Sequence, residues 1–247
     1  MIVCEQLSFA YQNGHNVLED VTFSAQKGER IGVIGANGAG KSTLLRLLVG
    51  LETGYAGRLT VGGVPVDNRH LSQVRRLAGY VFQDSDNQLF MPTVRQDVAF
   101  APRNYGLSAE ETARRTDRAL EDAGIAALAD RPAWQLSGGE KKLAAVATIL
   151  SLLPEVILMD EPTGALDPGN RRRLILLLDR LPQTMLIPSH DLDMLYELCD
   201  RIVLLDGGRI VADGTPDDIL TDRELLERHA LELPLGFQTL RRRQRAQ

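Results

Sequence analysis

Residues 35–42 read Gly-Ala-Asn-Gly-Ala-Gly-Lys-Ser, and their glycines, single ammonium and single hydroxyl could together hold a phosphate chain. Glycines allow consecutive backbone N–H groups to point inward, and such a nest at a helix N-terminus binds anions. Lys41 would place a point charge on the β- and γ-phosphates, and the hydroxyl of Ser42 would bind Mg²⁺. A strand-like segment, 30–34, precedes the loop, and an apolar helical segment, 42–49, follows it. The pattern therefore predicts a nucleotide-binding loop rather than a simple glycine-rich turn.

Two carboxylates follow a short apolar run later in the chain. Residues 156–159 read Val-Ile-Leu-Met, which is typical of a buried parallel strand, and Asp160 and Glu161 come directly after it. Asp160 would hold Mg²⁺ through its water shell, and Glu161 would polarise an attacking water. Alone, the pair could equally be a charged strand end before the turn at Pro162. Beside a phosphate loop, the catalytic interpretation is favoured.

A second candidate anion site begins at residues 136–140, Leu-Ser-Gly-Gly-Glu. Ser137 is a good helix N-cap, and the two glycines after it expose backbone amides at the positive end of the helix dipole. A helix cap with no further role is the simpler interpretation of these residues taken by themselves.

The chain resembles the ATP-binding-cassette (ABC) ATPases. Gln83, the segment 165–167 and His190 complete a set of motifs that stand in that family's order and cover nearly the whole chain. The signature at 136–140 is far more specific than the phosphate loop, which kinases and GTPases share. The resemblance implies an α/β fold: a P-loop NTPase core with an antiparallel β subdomain and an inserted α-helical subdomain. It also implies ATP and Mg²⁺ as ligands.

The resemblance assigns a role to each matching position. Lys41, Glu161 and His190 would be catalytic, with His190 bonding the γ-phosphate. Mg²⁺ would be held by Ser42, Gln83 and Asp160, and Gln83 would also sense the transport partner. Tyr11 would stack on adenine. The positions expected to contact the nucleotide are Tyr11, Gly35, Asn37, Gly38, Ala39, Gly40, Lys41, Ser42, Thr43, Gln83, Ser137, Gly138 and Gly139.

The same resemblance implies a dimer. In this family the signature faces the γ-phosphate held by the opposite subunit, and the chain carries one phosphate loop and one signature. Two chains, identical or closely related, must then pair, and Asp167 would lie in the loop that crosses their interface. Two positions depart from the usual pattern. Glu140 replaces the commoner glutamine, and Pro188-Ser189 precedes His190, which could alter the aim of the histidine.

The stretch after Gln83 resembles the energy-coupling-factor importers, most closely the cobalt and nickel branch, although the vitamin branch uses very similar ATPases. The matching residues are 82–90, 92–94, 97–100, Pro102, 106–108 and 136–142. In those systems the ATPase docks from the cytoplasm onto a membrane-embedded T component, and a separate subunit selects the metal ion. Residues 87–90 would line the docking groove, although Leu89 and Phe90 could equally be core. The expected location is peripheral, at the cytoplasmic face of the cell membrane.

We expect a single ABC ATPase domain over 1–247. Residues 1–83 and 153–214 would form the nucleotide-binding core, 84–152 the helical signature subdomain, and 215–247 a short helical extension. Residues 57–82 are interpreted as strands, and 108–111, Ser-Ala-Glu-Glu, as a capping box. A helix is predicted over 137–153, where Pro154 ends it, and one or two short helices over 215–233. Asp167 would cap a further helix with Pro168 in its first turn. The basic run at 241–245 would be solvated, or would contact anionic lipid headgroups.

Composition excludes several classes of function. The net charge of −5 argues against broad nucleic-acid affinity, and no apolar stretch approaches the ~20 residues that span a bilayer. Cys4 and Cys199 are expected to be buried free thiols in a reducing compartment. His15, His70 and His229 lack metal-ligand spacing. The rival interpretations are a soluble cassette acting in DNA repair or on ribosomes, and a small-molecule kinase.

Overall fold

The computed structural model describes residues 1–12 and 14–238 and is built around a largely parallel sheet. Short, almost uninterrupted apolar runs form its strands, as expected for strands covered on both faces. Neighbours pair in parallel except for a terminal hairpin joined by the Gly207-Gly208 turn. In spatial order the strands are β10 (Arg209–Gly214), β9 (Arg201–Asp206), β3 (Arg30–Ile34), β8 (Thr184–Pro188), β7 (Val156–Met159) and β6 (Ala78–Val81).

A smaller antiparallel sheet covers one side of this core. Its spatial order is β2 (Asn16–Ala25), β1 (Ile2–Ala10), β4 (Ala56–Val61) and β5 (Val64–Pro65). Buried side chains of β1, including Ile2 and Leu7, pack with Leu44 and Leu45 of α1 (Lys41–Leu48) in one apolar cluster. The antiparallel sheet therefore fixes the helix that follows the phosphate loop.

Helices α3 (Val94–Asn104), α4 (Ala109–Asp122) and α5 (Gly138–Leu150) pack together between β6 and β7 in the sequence. Their buried faces share a cluster with the helices α6 (Pro168–Arg180) and α7 (Leu192–Leu198). The signature thus opens a helix that packs on the nucleotide-binding core. The α/β cassette fold expected from the sequence is confirmed, and the domain boundaries remain predictions.

Three local expectations need correction. Residues 57–82 are not only strands, because a helix, α2, spans Leu71–Leu77 and buries Val74. Ser108 caps α4, but the Glu111 carboxylate pairs with Arg114 and Arg115 rather than returning to the cap, so no reciprocal box forms. The helix predicted over 137–153 ends at Leu150.

The C-terminal part contains the short helices α8 (Pro216–Leu220) and α9 (Arg223–Arg228), as expected for 215–233. Beyond them, the backbone N–H groups of Leu235 and Gly236 donate to the carboxylate of Asp193 on α7. The basic run 241–245 lies outside the described residues. Within the described part of the chain, no helix is both long and apolar enough to span a bilayer. Cys4 and Cys199 are buried free thiols, as predicted.

Candidate nucleotide-binding site

The phosphate loop connects β3 to α1, and its glycines adopt backbone conformations that other residues avoid. Gly35 has φ of +152°, and a Cβ there would lie 2.1 Å from the carbonyl oxygen of Leu205. Gly40 is the N-cap of α1 with φ of +104° and supplies no side-chain cap. The first-turn amides of α1 have no acceptor within the helix. These amides are therefore available to an anion, which is the arrangement the sequence predicts.

Lys41 lies in the first turn of α1 with its ammonium folded back over the loop. Its Nζ donates to the carbonyl oxygens of Gly35 (2.6 Å) and Ala36 (3.1 Å). Burial lowers the pKa of Lys41, and the carboxylates of Glu161 and Asp160 oppose that lowering. A positive charge thus stands at the centre of the loop.

The hydroxyl of Ser42 donates to Oδ1 of Asp160 across 3.0 Å. Asp160 is buried at the carboxyl end of β7, and the hydroxyl of Tyr80 lies 3.5 Å from its Oδ2. A hydroxyl beside a buried carboxylate is an oxygen-donor set suited to a hard cation such as Mg²⁺. The donor set therefore fits the cofactor that the sequence predicts.

Glu161 follows Asp160 with a positive φ of 46°, and its carboxylate points toward the segment after β8. Its Oε2 accepts the backbone N–H of His190 (3.0 Å) and the hydroxyl of Ser189 (3.3 Å). Its Oε1 is buried without a hydrogen-bond partner and lies 3.5 Å from Nε2 of His190. One carboxylate oxygen is thus anchored and the other is available to a donor.

His190 reaches the phosphate loop despite the unusual Pro188-Ser189 before it. Its Nε2 lies 3.1 Å from Oδ1 of Asn37 and 3.5 Å from Nζ of Lys41. The ring therefore stands between the phosphate loop and Glu161.

A cleft of about 540 Å³ brings most of the predicted site residues together. Tyr11 closes one side, where its hydroxyl lies 3.0 Å from Oγ1 of Thr43 and its ring packs edge-on against Phe9. Among the site residues predicted from the sequence, those that line the cleft are Tyr11, Asn37, Gly38, Ala39, Gly40, Lys41, Ser42, Thr43, Gln83, Glu161 and His190. Gly35 and Asp160 join the cleft through Lys41 and Ser42.

The signature residues do not line this cleft. Ser137 caps α5 in a reciprocal box, in which its hydroxyl accepts the Glu140 N–H (3.3 Å) and Oε2 of Glu140 accepts the Ser137 N–H (2.8 Å). Glu140 therefore preserves the cap in place of the commoner glutamine. Gly139 lies against α6, where a Cβ would meet Cγ of Asn170 at 2.2 Å. The amides of the first turn of α5 remain without helical acceptors, on a surface separate from the phosphate loop of the same chain.

Asp167 caps α6 by accepting the N–H groups of Gly169 (2.9 Å) and Asn170 (3.0 Å), with Pro168 in the first turn as predicted. Hydrogen bonds from Asn170 lower the pKa of the Asp167 carboxyl. The carboxylate is thus engaged within its own chain.

Sequence reasoning missed several residues that support the site. Ser189 anchors Glu161, Asn170 packs on Gly139, and Lys142 is buried beneath Gln83. Lys142 had a detectable signal, since a helical repeat places it on the same face as the buried Gly139 and Val146. Ser189 and Asn170 had none, because their partners are distant in sequence.

Comparison with known proteins identifies the family. Residues 18–164 match the family model described as ABC transporter. This chain belongs to the ABC transporter ATP-binding family. It is 49% identical over 231 residues, 94% of this chain and 88% of the relative, to a protein of Streptomyces avermitilis whose name assigns it to ABC transporter ATP-binding proteins without a substrate. It is 41% identical over 247 residues, 98% of this chain and 79% of the relative, to the energy-coupling factor transporter ATP-binding protein EcfA of Methanothermobacter thermautotrophicus.

A solved structure shares the fold. CbiO1 of Clostridium perfringens, described as part of the ABC transporter complex cbiONQ, is 34% identical with a TM-score of 0.82, covering 92% of this chain and 93% of that protein. The chain is therefore an ABC-type ATPase subunit, and ATP is the nucleotide of this family.

Proposed function

We propose that this ABC ATPase is the motor of an energy-coupling-factor importer for cobalt or nickel ions, and that it works as a dimer docked on a membrane-embedded T component. The likeness to EcfA and to CbiO1 supports the class of importer. The observation that carries the proposal is an apolar groove that shares the loop after β6 with the nucleotide cleft.

Within the proposed cycle, the residues of the cleft hold ATP and prepare a water for attack. Ser42, Asp160 and Gln83 would hold Mg²⁺, which would supply positive charge to neutralise the phosphates. Lys41 and His190 stabilise charge on the γ-phosphoryl oxygens. Oε1 of Glu161 accepts a proton from the water whose oxygen attacks the γ-phosphorus, while the bond from that phosphorus to the bridging oxygen breaks and ADP leaves.

The active site of the proposed motor is shared between two chains. Ser137–Gly139 lie outside the cleft that holds the phosphate loop, so one chain alone leaves its γ-phosphate site open on that side. The free amides at the start of α5 complement a γ-phosphate presented by a second copy. Closure of such a dimer around ATP would be the movement that drives transport.

The groove, of about 330 Å³, lies between β6, α3 and α5. Phe90 is 64% exposed and packs edge-on against Phe100 at its rim, whereas Leu89 is buried in the core. The sequence left open whether Leu89 and Phe90 line the groove or belong to the core. Phe90 lines the groove, and Leu89 belongs to the core. A helix of a membrane subunit that places an apolar face in this groove would be its occupant.

A buried carboxylate adds a polar requirement to the groove. Asp97 is 3% exposed, and its Oδ1 accepts the N–H groups of Phe90 (3.0 Å) and Met91 (2.9 Å). Its Oδ2 is buried with no hydrogen-bond partner. A donor on the docking segment would satisfy this oxygen, which leads us to assign Asp97 a part in partner recognition.

Co-purification from membranes tests the proposal. The tagged full chain should bring a T component and a metal-selecting subunit with it, with cobalt or nickel detected by elemental analysis. Phe90→Glu should abolish this association, and Leu176→Glu, a matched change at an apolar residue exposed on α6, should leave it intact. If the purified complex carried a vitamin instead of cobalt or nickel, the chain would be assigned to the vitamin importers. If Phe90→Glu still retained every membrane subunit, this result would contradict docking at this groove.

A further inference from the structure

Lys142 of α5 holds the backbone of the loop that follows β6. Its Nζ donates to the carbonyl oxygens of Phe82 (3.0 Å) and Gln83 (2.8 Å). Gln83 lines the nucleotide cleft, and its main-chain carbonyl is bonded to α5.

Gln88 fastens the other end of the same loop to the same helix. Its Nε2 donates to the carbonyl oxygen of Ala145 (2.9 Å) and lies 2.8 Å from Oγ1 of Thr148. Its Oε1 accepts the N–H of Phe82 at 3.1 Å. Residues 82–88 are therefore bonded to α5 at both ends.

The charge of Lys142 is not needed for packing. Lys142 is 3% exposed, and the groups it bonds are neutral carbonyls. Burial lowers the pKa of its ammonium to about 8, opposed by the charges of Asp84 and Asp160. An apolar side chain of similar volume usually fills a buried position with less loss of solvation. The position thus holds a charged donor that bonds two carbonyl oxygens of one loop, which an apolar side chain would leave without this partner.

The bonds place Lys142 between two functional surfaces. It lies on the helix that begins with Ser137 and the signature glycines, and it donates a hydrogen bond to the main-chain carbonyl of Gln83. We propose that Lys142 is a positioning residue, which fixes Gln83 to the signature helix so that the two move as one body. Lys142 does not line the nucleotide cleft and acts through Gln83. The inference rests on membership of the ATPase family and is independent of the importer and its cargo.

Replacement of the ammonium by an apolar chain of similar length tests this role. In the full chain, Lys142→Met should lower kcat roughly 10-fold, because small misplacements of a site residue slow the chemical step. The KM for ATP should stay within about 3-fold, since a residue that makes no ground-state contact changes kcat instead. Lys142→Arg, which keeps a charged donor, should restore most of the rate.

The adjacent lysine provides a matched control. The Nζ of Lys141 pairs with Asp86 of the same loop at 2.6 Å, but this is a partly exposed ion pair. Lys141→Met should change kcat by less than about 2-fold, because such pairs contribute little. If Lys142→Met does not fold, the same comparison is made with Lys142→Gln.

The single tryptophan offers a readout that a merely structural residue would not change. Trp134 is 78% exposed and lies three residues before Ser137, so its fluorescence reports on the signature segment. Adding MgATP should change this fluorescence in the wild type, and Lys142→Met should lose the change while still binding ATP in a filter assay. Unaltered kcat and fluorescence in Lys142→Met would overturn the proposal. A parallel fall in kcat, ATP affinity and melting temperature that Lys142→Arg does not rescue would do so as well.

Discussion

The backbone N–H of His190 donates to the carboxylate of Glu161 across 3.0 Å. This bond joins the carboxyl end of β7 to the segment after β8, and it anchors Oε2 while Oε1 remains without a hydrogen bond. This hydrogen bond therefore couples the orientation of the Glu161 carboxylate to the position of His190. A neutral amide at residue 161 can still accept the His190 N–H, so charge can be removed there without moving the histidine.

Glu161→Gln should bind ATP as the wild type does and hydrolyse it at least ~10²-fold more slowly, the usual scale for loss of a general base. ATP binding and single-turnover hydrolysis would be measured on the same preparation. Glu155→Gln, at the exposed opposite end of the same strand, serves as the control and should hydrolyse normally. Near-normal turnover in Glu161→Gln would remove this residue from its proposed role.

A mixture of two inactive variants should regain activity if the site is shared. In a dimer of a Lys41→Ala chain with a Ser137→Arg chain, one composite site keeps both the lysine and the signature serine. Random pairing of equal amounts should restore about a quarter of the wild-type ATPase activity, since half the dimers are mixed and each has one intact site.

Ser108→Arg, which removes the cap of α4 in the same way that Ser137→Arg removes the cap of α5, separates cap loss from loss of the shared site. This variant should remain active by itself. Two different affinity tags would verify that mixed dimers form, and inactivity of verified mixed dimers would contradict a shared site.

The sequence predicts those parts of the site that depend on local chain geometry. The phosphate loop needs glycine at positions such as Gly40, where φ is positive, and the strand before it needs apolar side chains on both faces. Asp160 and Ser42 are placed by the ends of such elements, so their meeting follows once β3 and β7 lie in one sheet.

The sequence does not predict contacts made by side chains between distant segments. The helix α2 was not predicted because its apolar positions, Leu71, Val74 and Leu77, repeat over only two helical turns. A repeat this short does not distinguish a helix from a strand. The contact of Asn170 with Gly139 depends on how α5 and α6 pack, which no local pattern encodes.

Gly138 and Gly139 should behave differently when each is replaced by alanine. A Cβ at Gly138 meets nothing within 4 Å in its own chain, whereas one at Gly139 lies 2.2 Å from Cγ of Asn170. Gly139→Ala should therefore lower the free energy of unfolding by about 1–3 kcal/mol, the usual effect of overpacking. Gly138→Ala should leave stability unchanged, and both variants should reduce ATPase activity because each adds a methyl group next to the backbone amides proposed to bind the partner's γ-phosphate.

A double variant distinguishes packing from nucleotide contact. Gly139→Ala combined with Asn170→Gly, which removes both the Cγ (2.2 Å) and the Cβ (2.4 Å) that the new methyl group would meet, should recover part of the melting temperature but should not recover ATPase activity. Recovery of both would mean that Gly139 serves only its contact with Asn170. Thermal unfolding and ATP turnover, measured side by side, decide between the two.

Asp97→Asn should separate stability from partner binding at the groove. Burial raises the pKa of the Asp97 carboxyl, so the folded state holds its proton more tightly than the unfolded chain does. Stability from this group is therefore lost as pH rises from the ordinary aspartate pKa through the raised folded value, and at neutral pH the ionised side chain is a net cost. Asparagine keeps an oxygen for the N–H groups of Phe90 and Met91 and removes that charge.

The melting temperature of Asp97→Asn at pH 7 should thus equal or exceed that of the wild type, and the difference should shrink on acidification. Retention of the membrane subunits should nevertheless fall, because the oxygen that is without a partner in the free chain would no longer carry a charge for the docking segment. Asp86→Asn, at an exposed carboxylate of the neighbouring loop, is the control and should retain the subunits. Full retention by Asp97→Asn would show that the groove recognises its occupant by apolar contact alone.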